Sequence, residues 1–422
     1  MLTSEENEAI TRVGPGTPMG VLMRRYWMPA LLSEELPAPD CPPVRVRLLG
    51  ENLVAFRDTN GRVGLVDEAC PHRRASLWFG RNEECGLRCV FHGWKFDVDG
   101  RCVDLMNEPD EFDFRDKVRL KAYPTLELAG LVWTYMGPSD AQPPAPTFEW
   151  TKVPDEARHV NKTWQECNWL QGLEGGIDTS HAPILHRRIR KDTDLPGVPP
   201  DAPFVTGKPP RLEVEVTDYG YRYYGVREVR DGLYVRGYQF IMPFTQIRPG
   251  TDFGGQSLVA GHMWVPMDDE NCMVYNWEYS TTGEAMADPE LVARELGTGH
   301  GELDGLYRKT RNRANDYLID RDAQRTETFT GIFGVNVQDH AVQESMGPIM
   351  DRTREYLGPA DKAIIAARRL LLEGTQVVAD GGEPKGIADK GQTGYGRARA
   401  GAVTVPAATD WRGPLLAEMN GH

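Results

Sequence analysis

The chain is poor in cysteine, short of basic charge and without a long apolar run, and each shortage removes a class of protein. Its 422 residues hold 48 lysines and arginines against 62 aspartates and glutamates, a net charge of -14. Phosphate recognition needs a basic stripe, so nucleic-acid binding is excluded. No stretch approaches the roughly twenty apolar residues of a membrane span. The opening residues, Met1-Leu2-Thr3-Ser4-Glu5-Glu6-Asn7-Glu8, carry neither the basic nor the apolar part of a secretory signal, and a cytoplasmic protein is expected. There is no internal repeat, and no G-x-G-x-x-G unit follows a strand pattern, so the chain shows no dinucleotide-binding fingerprint of its own. The length leaves room for two or three domains and a sizeable core.

Among the few cysteines, two stand beside histidines, as Cys70-Pro71-His72 and Cys89-Val90-Phe91-His92. The pattern C-x-H, C-x2-H supplies the donors of a Rieske [2Fe-2S] centre, two cysteines on one iron and two histidines on the other. Neutral imidazoles in place of anionic thiolates leave the reduced cluster less negative and raise its potential, which suits one-electron delivery. Structural zinc and a redox disulfide are the competing readings, since zinc accepts the same donors. Zinc pairs usually read C-x2-C and H-x3-5-H, whereas each motif here mixes one cysteine with one histidine. Cys41, Cys85, Cys102, Cys167 and Cys272 are left over, most simply as free thiols in a reducing compartment.

With Phe91-His92-Gly93-Trp94-Lys95-Phe96, this region closely resembles the Rieske family. Respiratory Rieske proteins bridge their two ligand loops with extra cysteines, but the loops here read His72-Arg73-Arg74-Ala75 and Cys89-Val90-Phe91-His92, and Cys85 is not at the bridge position. The resemblance is therefore to the lower-potential branch of ferredoxins and oxygenases. A free-standing ferredoxin would end within one small domain, and this chain runs on well past that.

The continuation holds a second motif, Glu174-Gly175-Gly176-Ile177-Asp178-Thr179-Ser180-His181, followed by His186. A helix over 171–177 places Glu174, Asp178 and His181 at i, i+4 and i+7, on one face. Two imidazoles and one carboxylate on one side of an iron make the facial triad of non-haem Fe(II) oxygenases, with positions left open for O2 and substrate. A lone His-x4-His is weak, being common on solvated helices and in cores. The string Cys167-Asn168-Trp169-Leu170-Gln171-Gly172-Leu173 leading into it, below a Rieske motif, resembles the catalytic signature of Rieske non-haem iron oxygenases. The Glu-Gly-Gly-Ile-Asp form is similar to the phthalate dioxygenase class, whose single kind of subunit carries both centres.

That resemblance implies further roles. In the stretch 335–349 the late iron ligand of the class falls on Asp339, with Glu344 and Asp351 as fallbacks and His340 as a packing residue. Each of these carboxylates has the ordinary alternative of a surface acid or helix cap. The aspartate at the position of Asp178 bonds an iron histidine and a Rieske histidine of a neighbouring subunit, which implies a ring-shaped oligomer, a homotrimer or stacked trimers. A carboxylate between two imidazole N-H groups fixes both tautomers; the alternative role is a helix-stabilising acid. Glu174 either supports that network or is a solvated helix residue.

Along the chain, alternating strand patterns at 44–49, 53–56 and 63–66 and a hairpin turning at Asp99-Gly100 hang the first motif on a small antiparallel scaffold. Gln142-Pro143-Pro144-Ala145-Pro146 reads as a linker. Two domains are expected: 1–150, an N-terminal segment with a Rieske domain whose core spans about 26–137, and 151–422, the catalytic domain. The proline-rich stretch 195–210 is long for a connector and suits an entrance lid. Strand patterns recur at 211–216, 221–226, 234–241, 258–265 and 272–279, the last two joined by a turn at 268–271. Residues 302–324 are charged with helical period, and 361–373 form an amphipathic helix. The fold class is α+β: a small all-β domain, then an antiparallel sheet embraced by helices, in agreement with the helix-grip domain of the resembled family.

The class acts largely on aromatic carboxylates, whose anion suits the planar fork of arginine. Candidates are Arg211, Arg222, Arg227, Arg236 and Arg248, of which Arg211 and Arg248 lie near strand ends where pockets open; strand arginines otherwise point to solvent. The resemblance implies an oxygenase component with one [2Fe-2S] cluster and one mononuclear Fe(II) per subunit. A separate flavin and iron-sulfur reductase would draw electrons from NAD(P)H, with O2 as co-substrate and cis-dihydroxylation as the reaction. Its rivals are monooxygenation, including O- or N-demethylation, and an electron-transfer protein with an inert second metal site.

Overall fold

The computed structural model describes residues 1–189, 209–230, 232–250, 256–286, 290, 293–294, 297–387 and 394–420. Most of the stretch expected to form a lid, 195–208, lies outside the described residues. The chain divides into two compact units, Val13–Ala145 and Met1–Arg12 with Pro146–His422. The boundary thus falls at 145/146 where the sequence suggests 150. The first twelve residues belong with the second unit and not with the Rieske segment, because their helix Ser4–Thr11 is bonded into it. Asn7 donates to the Met350 carbonyl at 3.2 Å, and Asn168 donates to the Thr11 carbonyl at 2.9 Å.

Apart from the short helix Pro18–Met23, the smaller unit is built on β-strands: one sheet of three strands and two of four, every named pair antiparallel. Its core joins Val54, Phe56, Val66, Leu87, Trp94 and Phe96 around the buried Cys70 and Cys89. The cysteine-bearing loops close by their own backbone. Arg74 N-H donates to the Cys70 carbonyl at 2.8 Å, Gly93 N-H donates to the Cys89 carbonyl at 2.9 Å, and Gly93 takes a φ of +75° that favours glycine.

The larger unit is built on an eight-stranded antiparallel sheet, in the spatial order Arg158–Gln165, Cys272–Ser280, Leu258–Pro266, Thr245–Pro249, Gly232–Ile241, Gly220–Val229, Arg211–Val216, with Gly401–Val405 also pairing the Gly232–Ile241 strand. The helix Trp169–Ile177 packs on the strands Leu258–Pro266 and Thr245–Pro249 and against the helix Val335–Ser345, and Lys362–Ala379 packs on Arg211–Val216. The expected helix over 302–324 is not formed. The described chain there is turns, a kinked 3-10 segment Arg313–Leu318 and a short helix Arg321–Thr326, broken where Asp316 and Tyr317 take positive φ. Among the described residues no helix is long and apolar enough to cross a membrane.

A buried ion cluster ties these parts together. Glu174 accepts from Arg352 Nη2 at 2.9 Å and from Arg368 Nε at 2.6 Å, and Arg368 also pairs with Glu355. Glu174 is therefore neither a solvated helix residue nor a partner of Asp178; it fixes the helix Trp169–Ile177 to the segments on either side of residue 360. Desolvation pushes its carboxyl up, and the two guanidinium groups outweigh that and hold it below the usual carboxylate range. Glu174→Gln leaves Arg352 buried without a counter-charge, and a loss of about 3–5 kcal/mol in urea unfolding of this unit is expected.

Candidate active site

Asn168 caps the helix Trp169–Ile177, its side chain accepting from Leu170 N-H. The helix ends at Ile177, and Asp178 leaves it in extended conformation, so Asp178 and His181 meet through the following turn and not on a helix face. Asp178 Oδ1 accepts from Ser180 N-H and Oγ, each at 2.7 Å, and Oδ2 lies 3.2 Å from His181 Nδ1. The turn Ala182–Leu185, opened by Pro183, then separates His181 from His186, whose rings stand 5.3 Å apart at 78°.

The helix Val335–Ser345 brings in the other half of the site. Asp339 Oδ1 is 3.4 Å from His181 Nε2 and 3.5 Å from His186 Nε2. The outer nitrogen of each imidazole is held as well, His181 Nδ1 by Asp178 and His186 Nδ1 by Gln338 Oε1 at 2.7 Å. Gln338 cannot be reversed without loss, since its Nε2 donates to the Ile332 carbonyl at 2.7 Å. Both Nδ1 atoms are therefore donors, which leaves both Nε2 atoms on the side of Asp339. His181, His186 and Asp339 are the one set of three such donors among the described residues that lie within 4.8 Å of one another, and they could hold a single metal ion.

The charges agree with that reading. Burial disfavours a charged His181, but its bonds to Asp178 and Asp339 prevail and raise it to about 10. A metal ion would replace that proton with a better-matched cation. Burial lowers His186. Of the fallback carboxylates, Glu344 is buried against Lys309 at 2.8 Å and Tyr317, and Asp351 is spent on the Thr353 turn. Burial drives His340 well below its ordinary value, so it is a neutral packing residue.

In the other unit Cys70 and Cys89 are buried, and burial and the neighbouring Cys89 push the Cys70 thiol up to about 11. His72 stacks on Trp94 with centroids 4.4 Å apart, and its ring is 4.4 Å from that of His92. His92 Nδ1 is buried with no hydrogen-bond partner. An orphaned imidazole nitrogen beside two buried cysteines is a donor set that a metal centre would satisfy. Each loop offers one cysteine and one histidine, the donor set of a cluster with two irons.

A cavity of about 160 Å³ lies against Asp178, His181, His186 and Asp339. That is the size of an engineered cavity, about 150 Å³, that accepts benzene. Its opposite wall is the sheet, which contributes Arg236, Arg248, Gln246, His262, Asn276 and Glu278. Arg211 is not there: it lies on the edge strand, exposed and paired with Glu213, because an edge arginine at that register faces solvent. Arg227 is fully buried but braces the site from behind, donating to the Thr179 carbonyl at 2.6 Å and to Thr179 Oγ1 at 2.9 Å. Gln338 and Glu278 carry no sequence signal, since amides and acids are common and only tertiary contact singles these out.

Comparison with known proteins agrees with both halves. Residues 26–124 match the Rieske [2Fe-2S] domain and residues 134–419 the LigXa C-terminal domain-like family. The 3-chlorobenzoate-3,4-dioxygenase oxygenase subunit of Comamonas testosteroni is 40% identical over 97% of this chain and 97% of its own. The phthalate 4,5-dioxygenase oxygenase subunit of Pseudomonas putida is 40% identical over 92% of this chain and 90% of its own. The solved structure of Pseudomonas putida CBB5 NdmA with caffeine has the same fold, with a TM-score of 0.60 at 20% identity, over 86% of this chain and 94% of that one. The chain therefore belongs to the Rieske non-haem iron oxygenases, as an oxygenase subunit that takes a Rieske [2Fe-2S] cluster and a mononuclear iron.

Proposed function

We propose that this subunit hydroxylates an aromatic carboxylate, with Cys70 and Cys89 on one iron of the cluster, His72 and His92 on the other, and His181, His186 and Asp339 on the mononuclear iron. The observation that carries the substrate class is Arg248. Its guanidinium lines the cavity next to the three-donor set and, among the described residues, makes no hydrogen bond of its own. Burial and the nearby Arg236 press against its charge, so an anion entering the cavity relieves both. Arg236 lines the same wall and is the second candidate.

When bound, the cluster supplies single electrons and the ferrous ion supplies O2 activation. The protein's part is placement. Arg248 anchors the carboxylate and so presents the ring to the His181, His186 and Asp339 face, while Trp264 and His262 fill the wall and keep it dry. Dihydroxylation consumes O2, two electrons and two protons and yields a cis-dihydrodiol; the electrons come from NAD(P)H through a separate flavin and iron-sulfur reductase. Asp178 joins His181 to a Rieske histidine of a neighbouring subunit in a homotrimer or stacked trimers. Its support is the Oδ2 contact with His181 Nδ1 in a turn held by Arg227 and Thr179.

Iron-replete protein, given NADH and a phthalate-dioxygenase-type reductase, is expected to consume O2 with a substituted benzoate or a phthalate isomer and to place both atoms of labelled O2 in the product. One labelled atom, or formaldehyde release, would make it a monooxygenase instead. Arg248→Met should weaken binding of the acid about 10- to 100-fold, the scale of a charge-assisted hydrogen bond worth about 1.5–3 kcal/mol, with metal content unchanged. Gln338→Leu frees the His186 ring to turn, and metal titration should show iron affinity about 10- to 100-fold lower with an unaltered cluster spectrum. With both centres loaded, Asp178→Asn is expected to slow reoxidation of the reduced cluster more than tenfold, whereas a merely structural acid would lower thermal stability and leave that rate alone.

A further inference from the structure

The sheet places a second ionisable group beside Arg248. Arg248 pairs in register with Ala260, and Ala260 with Glu278, so the three side chains lie in one row on one face. The small alanine leaves room for the two long side chains to lean toward each other, and Arg248 and Glu278 both line the cavity. Glu278 is 7% exposed, and its Oε2 is buried with no hydrogen-bond partner. Arg248 acts on it electrostatically, yet no ion pair within 4.0 Å joins them among the described residues.

The remaining charged or titratable neighbours are few. On the adjoining strand Arg158–Gln165, His159 is the register partner of Glu278. His262 lies one row away on Leu258–Pro266 with its Nδ1 2.6 Å from Asn276 Oδ1, Arg236 on Gly232–Ile241, and Asp339 and His340 on the helix Val335–Ser345. Burial lowers His159, and lowers His262 and His340 far more, so all three stay neutral near pH 7 and above. Burial pushes the Glu278 carboxyl up to about 7, and Arg248 is the opposing influence. In the empty site Glu278 is thus the weakly held counter-charge of Arg248.

A substrate carboxylate docking on Arg248 takes over that role. Arg248, and not Arg236, is the guanidinium that acts on Glu278; a second carboxylate docked on Arg248 disfavours the charge of the first, and the one that protonates is the one already buried with an orphaned oxygen. We propose that Glu278 is a specificity-determining residue of the acid site, entering the substrate complex as a neutral carboxylic acid that donates a hydrogen bond into the cavity, so that each aromatic carboxylate binds together with one proton from solvent. The inference rests on the reading of Arg248 as the carboxylate anchor.

The sign follows from linkage. Below the pKa of Glu278 in the empty site the proton is already present and affinity is full. As pH rises through that value toward the higher value in the complex, Kd climbs by up to about tenfold per pH unit. The substrate acid is ionised throughout this range. Titration of iron- and cluster-loaded protein with the best aromatic acid from pH 5.5 to 9, by calorimetry in two buffers of different ionisation enthalpy, should show flat affinity at the acid end. At the alkaline end Kd should rise, with uptake approaching one proton per acid bound. Glu278→Gln, permanently neutral and still a donor, should bind with a pH-independent Kd, no proton uptake, and tighter than the parent at pH 8.5. A pH-independent parent with no proton uptake, or a Glu278→Gln variant that keeps the parental profile, overturns the proposal. Unchanged affinity in Arg248→Met overturns instead the anchor reading on which it rests.

Discussion

The close approach of the helices Trp169–Ile177 and Val335–Ser345 is the constraint on which the catalytic unit depends, and glycine is what permits it. A Cβ on Gly175 would stand 2.0 Å from Gln343 Nε2, and one on Gly176 2.0 Å from Trp264 Cη2. Neither position needs glycine for its backbone angles; both need it for space. Gln343 locks the contact, its Oε1 accepting from Gln165 at 2.6 Å and its carbonyl from Gln171 at 3.1 Å. That spacing sets how near Asp339, one turn back on the second helix, comes to the two histidines that follow the first. A larger side chain at 175 would push the acid away from the imidazoles, and one at 176 would lift the first helix off Trp264 of the sheet.

Buried charge in this unit is of two kinds. Around Glu174 and around Glu344 the ions are closed on one another, Arg352 and Arg368 in the first case and Lys309 in the second, and such clusters hold segments in register. At the cavity the ions are left open. Arg248 and Glu278 face each other without closing, although either could have been an apolar residue at less desolvation cost. The incomplete pair is the one that the proposed carboxylate substrate would complete.

Much of this was legible in the chain because metal chemistry restricts residue type and spacing. Cys70, His72, Cys89 and His92 and the pair His181 and His186 stand out as donor types at unusual intervals, the sheet strands announce themselves by alternation, and Asp339 is singled out among several late carboxylates only by the resemblance to the phthalate dioxygenase class. What could not be read depends on register and on contacts far apart in sequence. Arg211 and Arg248 look equivalent as strand-end arginines, and only the order of the strands puts the first on an exposed edge and the second in the cavity wall. The segment 302–324 has helical period, but Lys309 and Tyr317 are drawn to Glu344 and the backbone breaks to let them reach it. Glu174 reads as a support for Asp178 or as a solvated residue, and neither holds because its two arginines lie nearly two hundred residues downstream.

The two metal-binding neighbourhoods differ in one physical respect that matches a division of labour. His72 and His92 are half-buried beside the exposed Val90 and Phe91, so the imidazole edge of the first site reaches the surface while its thiols are sealed in the core. His186 is buried, and His181 and Asp339 are partly buried at the wall of a recessed cavity. Electron transfer tolerates, and benefits from, an edge that a partner can approach, since single electrons cross short gaps without any atom moving. Oxygen chemistry needs the opposite, a dry wall in which electrostatic contacts are strong and side reactions with water are excluded. Placing imidazoles near the surface in one unit and lining a pocket with them in the other lets the same side chain serve both demands.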